Sequence, residues 1–216
     1  MLPLPHKIRE EAKNEVYQFI DKFYRKLNKK SDGTVNEFDD GFQDNDIDAL
    51  RHAYVSGVFA QFYSESFAEF LGNMQEIFPG YGASSPTGEK QKNMDLWNNR
   101  VGRKYGLKTK SREELFLKLL EALKAKELII DPSDSRKYED NYNSKLDSNF
   151  PVIVAKESAT GENLIFYDTS KNIFMNKTDF VEIIKKGQYK NYELRVIGGK
   201  ETPFSKKDRR PNNNLG

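Results

Sequence analysis

Through the first 130 residues the apolar side chains return at three- and four-residue steps, the period of an amphipathic helix. Ile8, Ala12, Val16, Phe19, Ile20, Phe23, Tyr24 and Leu27 predict a helix over 7–28, and Asp32-Gly33 predicts the turn after it. Over 46–63, Ile47, Leu50, Tyr54, Val58, Phe59 and Phe62 cover most of the helix circumference, which predicts a buried element. Ala49, Ala53, Gly57 and Ala60 form a strip of small side chains along it, and such a strip lets another helix approach closely. Phe67, Phe70, Leu71, Met74 and Ile77 predict a helix over 65–77, stopped by Pro79-Gly80. After a loop at 83–89, Met94, Leu96, Trp97 and Val101 predict a helix over 90–105 with Gly106 as its C-terminal cap. Ser111-Arg112-Glu113-Glu114 fits a capping box that opens a helix over 112–127.

The pattern then changes. Residues 131–150 are polar, with Tyr138, Tyr142, Leu146 and Phe150 spaced by four, as in a connector that pins itself to the core. Residues 151–155 read as a strand, Thr160 to Asn163 as a turn, 164–167 as the returning strand, 178–186 as a short helix ended by Gly187, and 192–197 as a third strand. The expected fold class is therefore α+β. A helical domain of about five helices, 1–130, carries the candidate site. A polar connecting segment, 131–150, leads to a small β-rich module with one short helix, 151–199, and a basic flexible tail, 200–216. The chain shows no internal repeat.

A length of 216 residues suits one ordinary domain with a small second module. With 37% hydrophobic and 12% aromatic residues, a packed core is within reach. No apolar run approaches the roughly 18 residues of a spanning helix, so no integral membrane segment is expected. The chain has no cysteine, which excludes disulfides, thiolate catalysis and sulfur-ligated zinc. His6 and His52 are its two histidines, too few for a multi-histidine metal site. The net charge of +2 gives no basic excess, so nucleic acid is not the expected partner. The stretch from Asp32 to Asp48 is acidic but fails the EF-hand pattern, because Ile47 falls where the bidentate glutamate belongs. The opening MLPLPHKIREE lacks the apolar centre of a secretory signal. The expectation is a protein that stays where it is made, is delivered by another route, or has had a leader trimmed.

Two segments carry the candidate chemistry. In Asp48-Ala49-Leu50-Arg51-His52-Ala53, Asp48 and His52 lie one helical turn apart and share a face. Burying such groups without partners costs about 1–3 kcal/mol each even when neutral, so something must pair with them. In the second segment, Asp95, Asn99 and Gly102 share a face, with Asn98 and Arg103 at its edges. Asparagine is a poor helix former, so an adjacent pair in a helix implies that the amides are needed as hydrogen-bond partners. Gly102 would let a neighbouring backbone or ligand come close. Glu76, near the end of the third helix, is a further candidate for the same cleft.

The order D-A-x-R-H-A, G-x-x-x-E, M-D-x-x-N-N-x-x-G-R resembles an uncharacterised family of bacterial α-helical domains found in secreted or surface proteins and at the C-termini of polymorphic toxins. The matching residues are Asp48, Ala49, Arg51, His52 and Ala53; Gly72 and Glu76; and Met94, Asp95, Asn98, Asn99, Gly102 and Arg103. They span about 45–106. The resemblance implies a helical domain in an effector-like setting and supplies no reaction. That family often carries His before the Glu of the second piece, where this chain has Gln75.

Two readings follow. In the first the chain is an effector- or toxin-like hydrolase. His52 is its general acid or base, Asp48 or Asp95 orients the ring, and Glu76 is a second acid-base group. Arg51 and Arg103 hold an anionic group, and Asn98 and Asn99 position the substrate or stabilise an oxyanion. A metal-assisted version places a divalent ion on Asp48, His52, Glu76 and Asp95. In the second reading the polar cluster is a buried network that fixes helix register, and the β module offers an edge strand to a protein partner. Gln75 favours this second reading.

Overall fold

A computed structural model of the chain describes residues 3–33, 35, 42–77, 86–139, 149–206 and 215, without the side chains of 75–77, 86 and 87. Residues 34 and 36–41 of the acidic stretch, Tyr142, Leu146 and most of the basic C-terminal residues lie outside them. The order of elements is α1 (Pro5–Phe23), α2 (Asp46–Phe62), α3 (Glu65–Ile77), α4 (Pro86–Gly106), α5 (Arg112–Lys124), β1 (Val152–Glu157), β2 (Asn163–Asp168), β3 (Ile173–Asn176), α6 (Lys177–Lys185), β4 (Tyr192–Ile197) and β5 (Lys200–Ser205). The fold is α+β. Two compact units, Met1–Tyr138 and Glu139–Gly216, divide the chain.

In the helical unit α2 packs against α1, α3, α4 and α5, which is why its apolar residues run all round it. Ile47, Ala49, Leu50, Ala53, Tyr54 and Val58 are all buried. The contact with α4 is unusually close. A Cβ on Gly102 would lie 1.9 Å from the Ala53 carbonyl oxygen, and one on Gly106 would lie 2.1 Å from that of Gly57. Both contacts advance by four residues along each helix, so α2 and α4 run in the same direction where they cross. The small-residue strip is thus matched by glycines on the partner helix. Gly106 was expected as a cap. Instead it is the last residue of α4, and it is glycine because the Gly57 backbone occupies the space a side chain would need.

The helix ends have local causes. α1 stops at Phe23, short of the expected 28, because the Asp21 carboxylate accepts the Leu27 N–H at 3.0 Å and the Lys29 Nζ at 3.1 Å, drawing the chain back on itself. α4 starts at Pro86, a residue type favoured in a first helical turn. Ser111 caps α5 by accepting the Glu114 N–H at 3.1 Å. α5 ends in a Schellman-type turn: Lys126 is left-handed (φ 59°), and the Glu127 N–H reaches the Ala122 carbonyl at 2.9 Å. The segment after it is tied to this unit. Arg136 donates to the carbonyls of Lys126 at 2.8 Å and Leu128 at 3.2 Å.

In the second unit β1, β2 and β3 form an antiparallel sheet, with a register shift between Val154 and Lys156. β4 and β5 form a separate hairpin, so residues 200–205, expected as the start of a flexible tail, are a strand instead. Val152, Val154, Phe166, Met175, Phe180, Tyr189, Tyr192 and Leu215 make the core of this unit. The buried Asp168 carboxylate ties the β2–β3 turn by accepting the N–H groups of Ser170 at 2.8 Å and Lys171 at 3.0 Å. No helix among the described residues is long and apolar enough to cross a membrane.

Because a methyl group cannot share space with a backbone carbonyl, Gly102→Ala is expected to lower the stability of the helical unit by about 3 kcal/mol. Urea unfolding followed by far-UV circular dichroism measures this. An unchanged midpoint would mean that α2 and α4 do not cross this closely.

Candidate functional site

The side chains of interest start on the first turn of α2. Asn45 caps that helix, its side-chain oxygen accepting the N–H groups of Ile47 at 2.9 Å and Asp48 at 3.2 Å. Asp48 Oδ2 accepts the Asp44 N–H at 2.9 Å, and its Oδ1 accepts from Arg51 Nη2. Gln91 of α4 donates to the Asp44 carboxylate, so the entry to α2 is fastened to α4. One turn on, His52 Nε2 lies 3.5 Å from Asp48 Oδ1, 3.4 Å from Asp95 Oδ1 of α4 and 3.2 Å from Arg51 Nη2. The glycine contact explains the meeting. With Ala53 beside Gly102 and Gly57 beside Gly106, Asn99 one turn and Asp95 two turns before Gly102 lie on the same face of α4, which meets α2 beside His52.

Burial sets the charges. The Asp48 side chain is 6% exposed and that of His52 is 13% exposed. Burial pushes the Asp48 carboxyl upward, opposed by the Arg51 guanidinium and the Asp44 N–H. Burial also works against the Arg51 charge, but Asp48, Tyr17 and Asp95 outweigh it and hold Arg51 protonated. Burial, then Arg51 and Arg9, push the imidazole down from 6.5 to about 3, against a hydrogen bond with Asn99. The ring is therefore neutral at neutral pH. Arginine offers donors alone, so Nε2 beside Arg51 carries a lone pair and the ring proton is assigned to Nδ1. One nitrogen lone pair and two carboxylate oxygens thus converge, all within 4.8 Å of one another.

These groups open on a cavity of about 280 Å³. Arg9 and Lys13 of α1 and Lys92 of α4 line it together with Asp44, Asp48, Arg51, Asp95 and Asn99, while Val55 and Phe59 supply an apolar side. Of the residues singled out in the sequence, Asp48, Arg51, His52, Asp95 and Asn99 come together here. Asn98 does not line the cavity. Its amide donates to the Ile129 carbonyl at 2.8 Å and accepts the Ile129 N–H at 2.9 Å, which pins the segment after α5. Arg103 does not line the cavity; it is buried against α3, with Nη2 3.4 Å from Glu69, which also accepts from Tyr138 at 3.0 Å. Glu76 belongs to α3, and its side chain lies outside the described residues. Sequence reasoning passed over Ser56, Arg9, Lys13 and Lys92. Ser56 had a signal, because it extends the Asp48-His52 stripe by one more turn. The lysines and Arg9 had none, since basic residues on a helix usually face water.

Residues 11–127 match the family model described as Domain of unknown function (DUF6973), and the chain belongs to that family. The matched segment contains every cavity residue named here except Arg9. No curated protein and no solved structure matches the chain.

Burying a neutral imidazole links stability to pH. The folded pKa lies below the unfolded value, so this contribution is fully present above about pH 6.5 and is lost as pH falls from there toward 3. Asp48, shifted up, acts in the opposite sense, in the carboxylate range above 3.8. Between pH 6.5 and 5, in the presence of a chelator, the wild-type unfolding midpoint should fall as acid is added and that of His52→Gln should stay nearly level. Parallel pH profiles for the two proteins would contradict the burial of this ring.

Proposed function

We propose that the helical unit is a hydrolase in which Asp48, His52 and Asp95 hold a divalent metal ion that activates water. The observation that carries this reading is the convergence of three acceptor atoms from two helices at the wall of a cavity. Ligands about 2.1 Å from one ion lie about 3.0 Å apart in an octahedral and about 3.4 Å apart in a tetrahedral arrangement. The 3.4 and 3.5 Å separations from His52 Nε2 to the two carboxylates have that size. Three protein ligands leave coordination positions for water and substrate, the pattern of catalytic rather than structural sites. An oxygen-rich set suits a hard or borderline ion such as Mn²⁺, Mg²⁺ or Zn²⁺.

The same facts favour one of the two roles open to His52. A general base working near neutral pH needs a pKa close to 7. An imidazole held near 3 is a weak base there but is already in the neutral form a metal requires. His52 is therefore proposed as a ligand; a bound ion would lower the pKa of water at the site, and a cavity carboxylate or solvent would take up the proton. Glu76, four residues after the cavity residue Gly72, is assigned as the group that protonates the leaving group. The effector- or toxin-like setting, with delivery outside the producing cell, belongs to this proposal and rests on the resemblance of the D-A-x-R-H-A segment to such domains.

Arg51 supports the rival reading. Its guanidinium donates to Asp48 and sits 3.2 Å from His52 Nε2, so it already supplies the cluster with positive charge. On that reading the network locks α2 to α4 and does no chemistry, and the β-rich unit carries any partner contact. For an ion to bind, Arg51 must swing away from Nε2 into the cavity.

Titration with Mn²⁺, followed by electron paramagnetic resonance, separates the two. One ion per chain is expected, with affinity lowered about tenfold or more in Asp95→Asn and Asp48→Asn. The same variants should lose metal-dependent hydrolysis of activated esters while keeping their far-UV circular dichroism. Absence of Mn²⁺ and Zn²⁺ binding at millimolar concentration, together with melting of the Asp95→Asn protein, would favour the structural network.

A further inference from the structure

The cavity has a second set of polar groups that the metal reading does not use. A Cβ on Gly72 of α3 would lie 3.3 Å from Ser56 Oγ, 3.4 Å from Asn99 Nδ2 and 3.6 Å from Arg103 Nη1. Three hydrogen-bond donors thus surround the spot a methyl group would fill. Ser56 is 1% exposed and Arg103 is 3% exposed. Among the described residues, neither Ser56 Oγ nor Arg103 Nη1 has a hydrogen-bond partner. Asn99 Nδ2 lies 3.4 Å from the Gly72 carbonyl, and the same side chain also hydrogen-bonds His52. Leaving buried donors unsatisfied is costly, so a fold that keeps them together points to an acceptor that arrives with a ligand. Ser56, Gly72 and Asn99 line the same cavity as Asp48, His52 and Asp95.

The chemistry of that acceptor follows from the groups available. Every one of these groups can donate, and Arg103 can only donate, so the ligand atoms facing them are oxygens with lone pairs. Arg9, Lys13, Arg51 and Lys92 line the cavity against Asp44, Asp48 and Asp95, and a divalent ion would leave the site strongly positive. That charge suits a dianion. A tetrahedral phosphoryl group can turn one oxygen to the ion while its others face Ser56, Asn99 and Arg103. A planar carboxylate has no third oxygen to offer. The donors sit on a buried wall and not at the rim, which suits a phosphoryl group at the end of its molecule.

We propose that Ser56, Asn99 and Arg103, grouped around Gly72, form a phosphoryl subsite, and that the substrate class is a phosphomonoester. This inference rests on the metal-hydrolase reading for its reaction but not for the binding itself. In the reaction the phosphorus–oxygen ester bond breaks and the oxygen of water ends on phosphorus. One proton of that water goes to the departing alcohol, and the other goes to phosphate or solvent. No oxidant or reductant is involved.

The test is titration of the full chain with inorganic phosphate by isothermal calorimetry, with chelator and then with Mn²⁺. Phosphate should bind the wild type, more tightly with the ion present. Gly72→Ala places a methyl group among the donors and Ser56→Ala removes one of them. Each should weaken phosphate binding, about tenfold for the first, corresponding to about 1.4 kcal/mol, with Mn²⁺ affinity within about twofold of wild type. If Gly72→Ala fails to fold, judged by circular dichroism, Ser56→Ala decides. Equal phosphate affinity in the wild type and the folded variants would overturn the subsite. So would wild-type binding of phosphate no tighter than acetate, or displacement of phosphate by a phosphodiester but not by a phosphomonoester. Phosphate binding that Ser56→Ala weakens, in a protein that binds no Mn²⁺, would keep the subsite and remove the metal. Mn²⁺ binding without phosphate binding would do the reverse.

Discussion

Everything in the helical unit depends on one contact, the crossing of α2 and α4 at backbone distance. The Ala53 carbonyl stands where a Gly102 side chain would be, and the Gly57 carbonyl where a Gly106 side chain would be. Such a crossing tolerates no slippage, because a shift of one residue would drive Arg103 or Tyr105 into the α2 backbone. The register then extends along both helices and sets Asp95 and Asn99 against His52. A precise polar site thus comes from a feature with no polarity at all. It is also built on two helices, which hold side chains in place more rigidly than loops would.

The electrostatics follow from that rigidity. Two carboxylates and an imidazole are held together where burial disfavours charge on Asp48 and on the ring alike. Arg51 answers part of the problem by donating to Asp48. It does not answer all of it, because its guanidinium and His52 compete for the same small volume. The basic rim of Arg9, Lys13 and Lys92 adds a field that favours an incoming anion. A divalent ion and a phosphoryl group would together satisfy the acceptors and donors that the protein alone leaves strained in charge.

Much of this was legible in the sequence. Helical spacing alone put Asp48 and His52 on one face and Asp95 and Asn99 on another, and the surplus of polar groups on buried-looking faces implied that the two would meet. The small-residue strip on α2 implied a close neighbour. What could not be read depends on residues far apart in the chain. Asn98 was grouped with Asn99 because both are amides, yet Asn98 faces Ile129, 31 positions later, and is consumed by its backbone. Arg103 packs against α3 with Glu69, a pairing no spacing rule would reveal, while its other terminal nitrogen faces Gly72. Gly106 looked like a cap by position, whereas its role lies in Gly57. The strand β5 was hidden because Lys200 to Ser205 are polar and include Pro203, so they carry no alternation. Pairing with β4 makes them a strand.

The most direct measurement is a crystal structure of the protein grown or soaked in Mn²⁺, with anomalous data collected near the manganese edge. The account predicts one strong anomalous peak about 2.2 Å from oxygens of Asp48 and Asp95 and from Nε2 of His52, with Arg51 turned away. Arg51 still lodged against Asp48 and His52, with no peak between the three side chains, would contradict it.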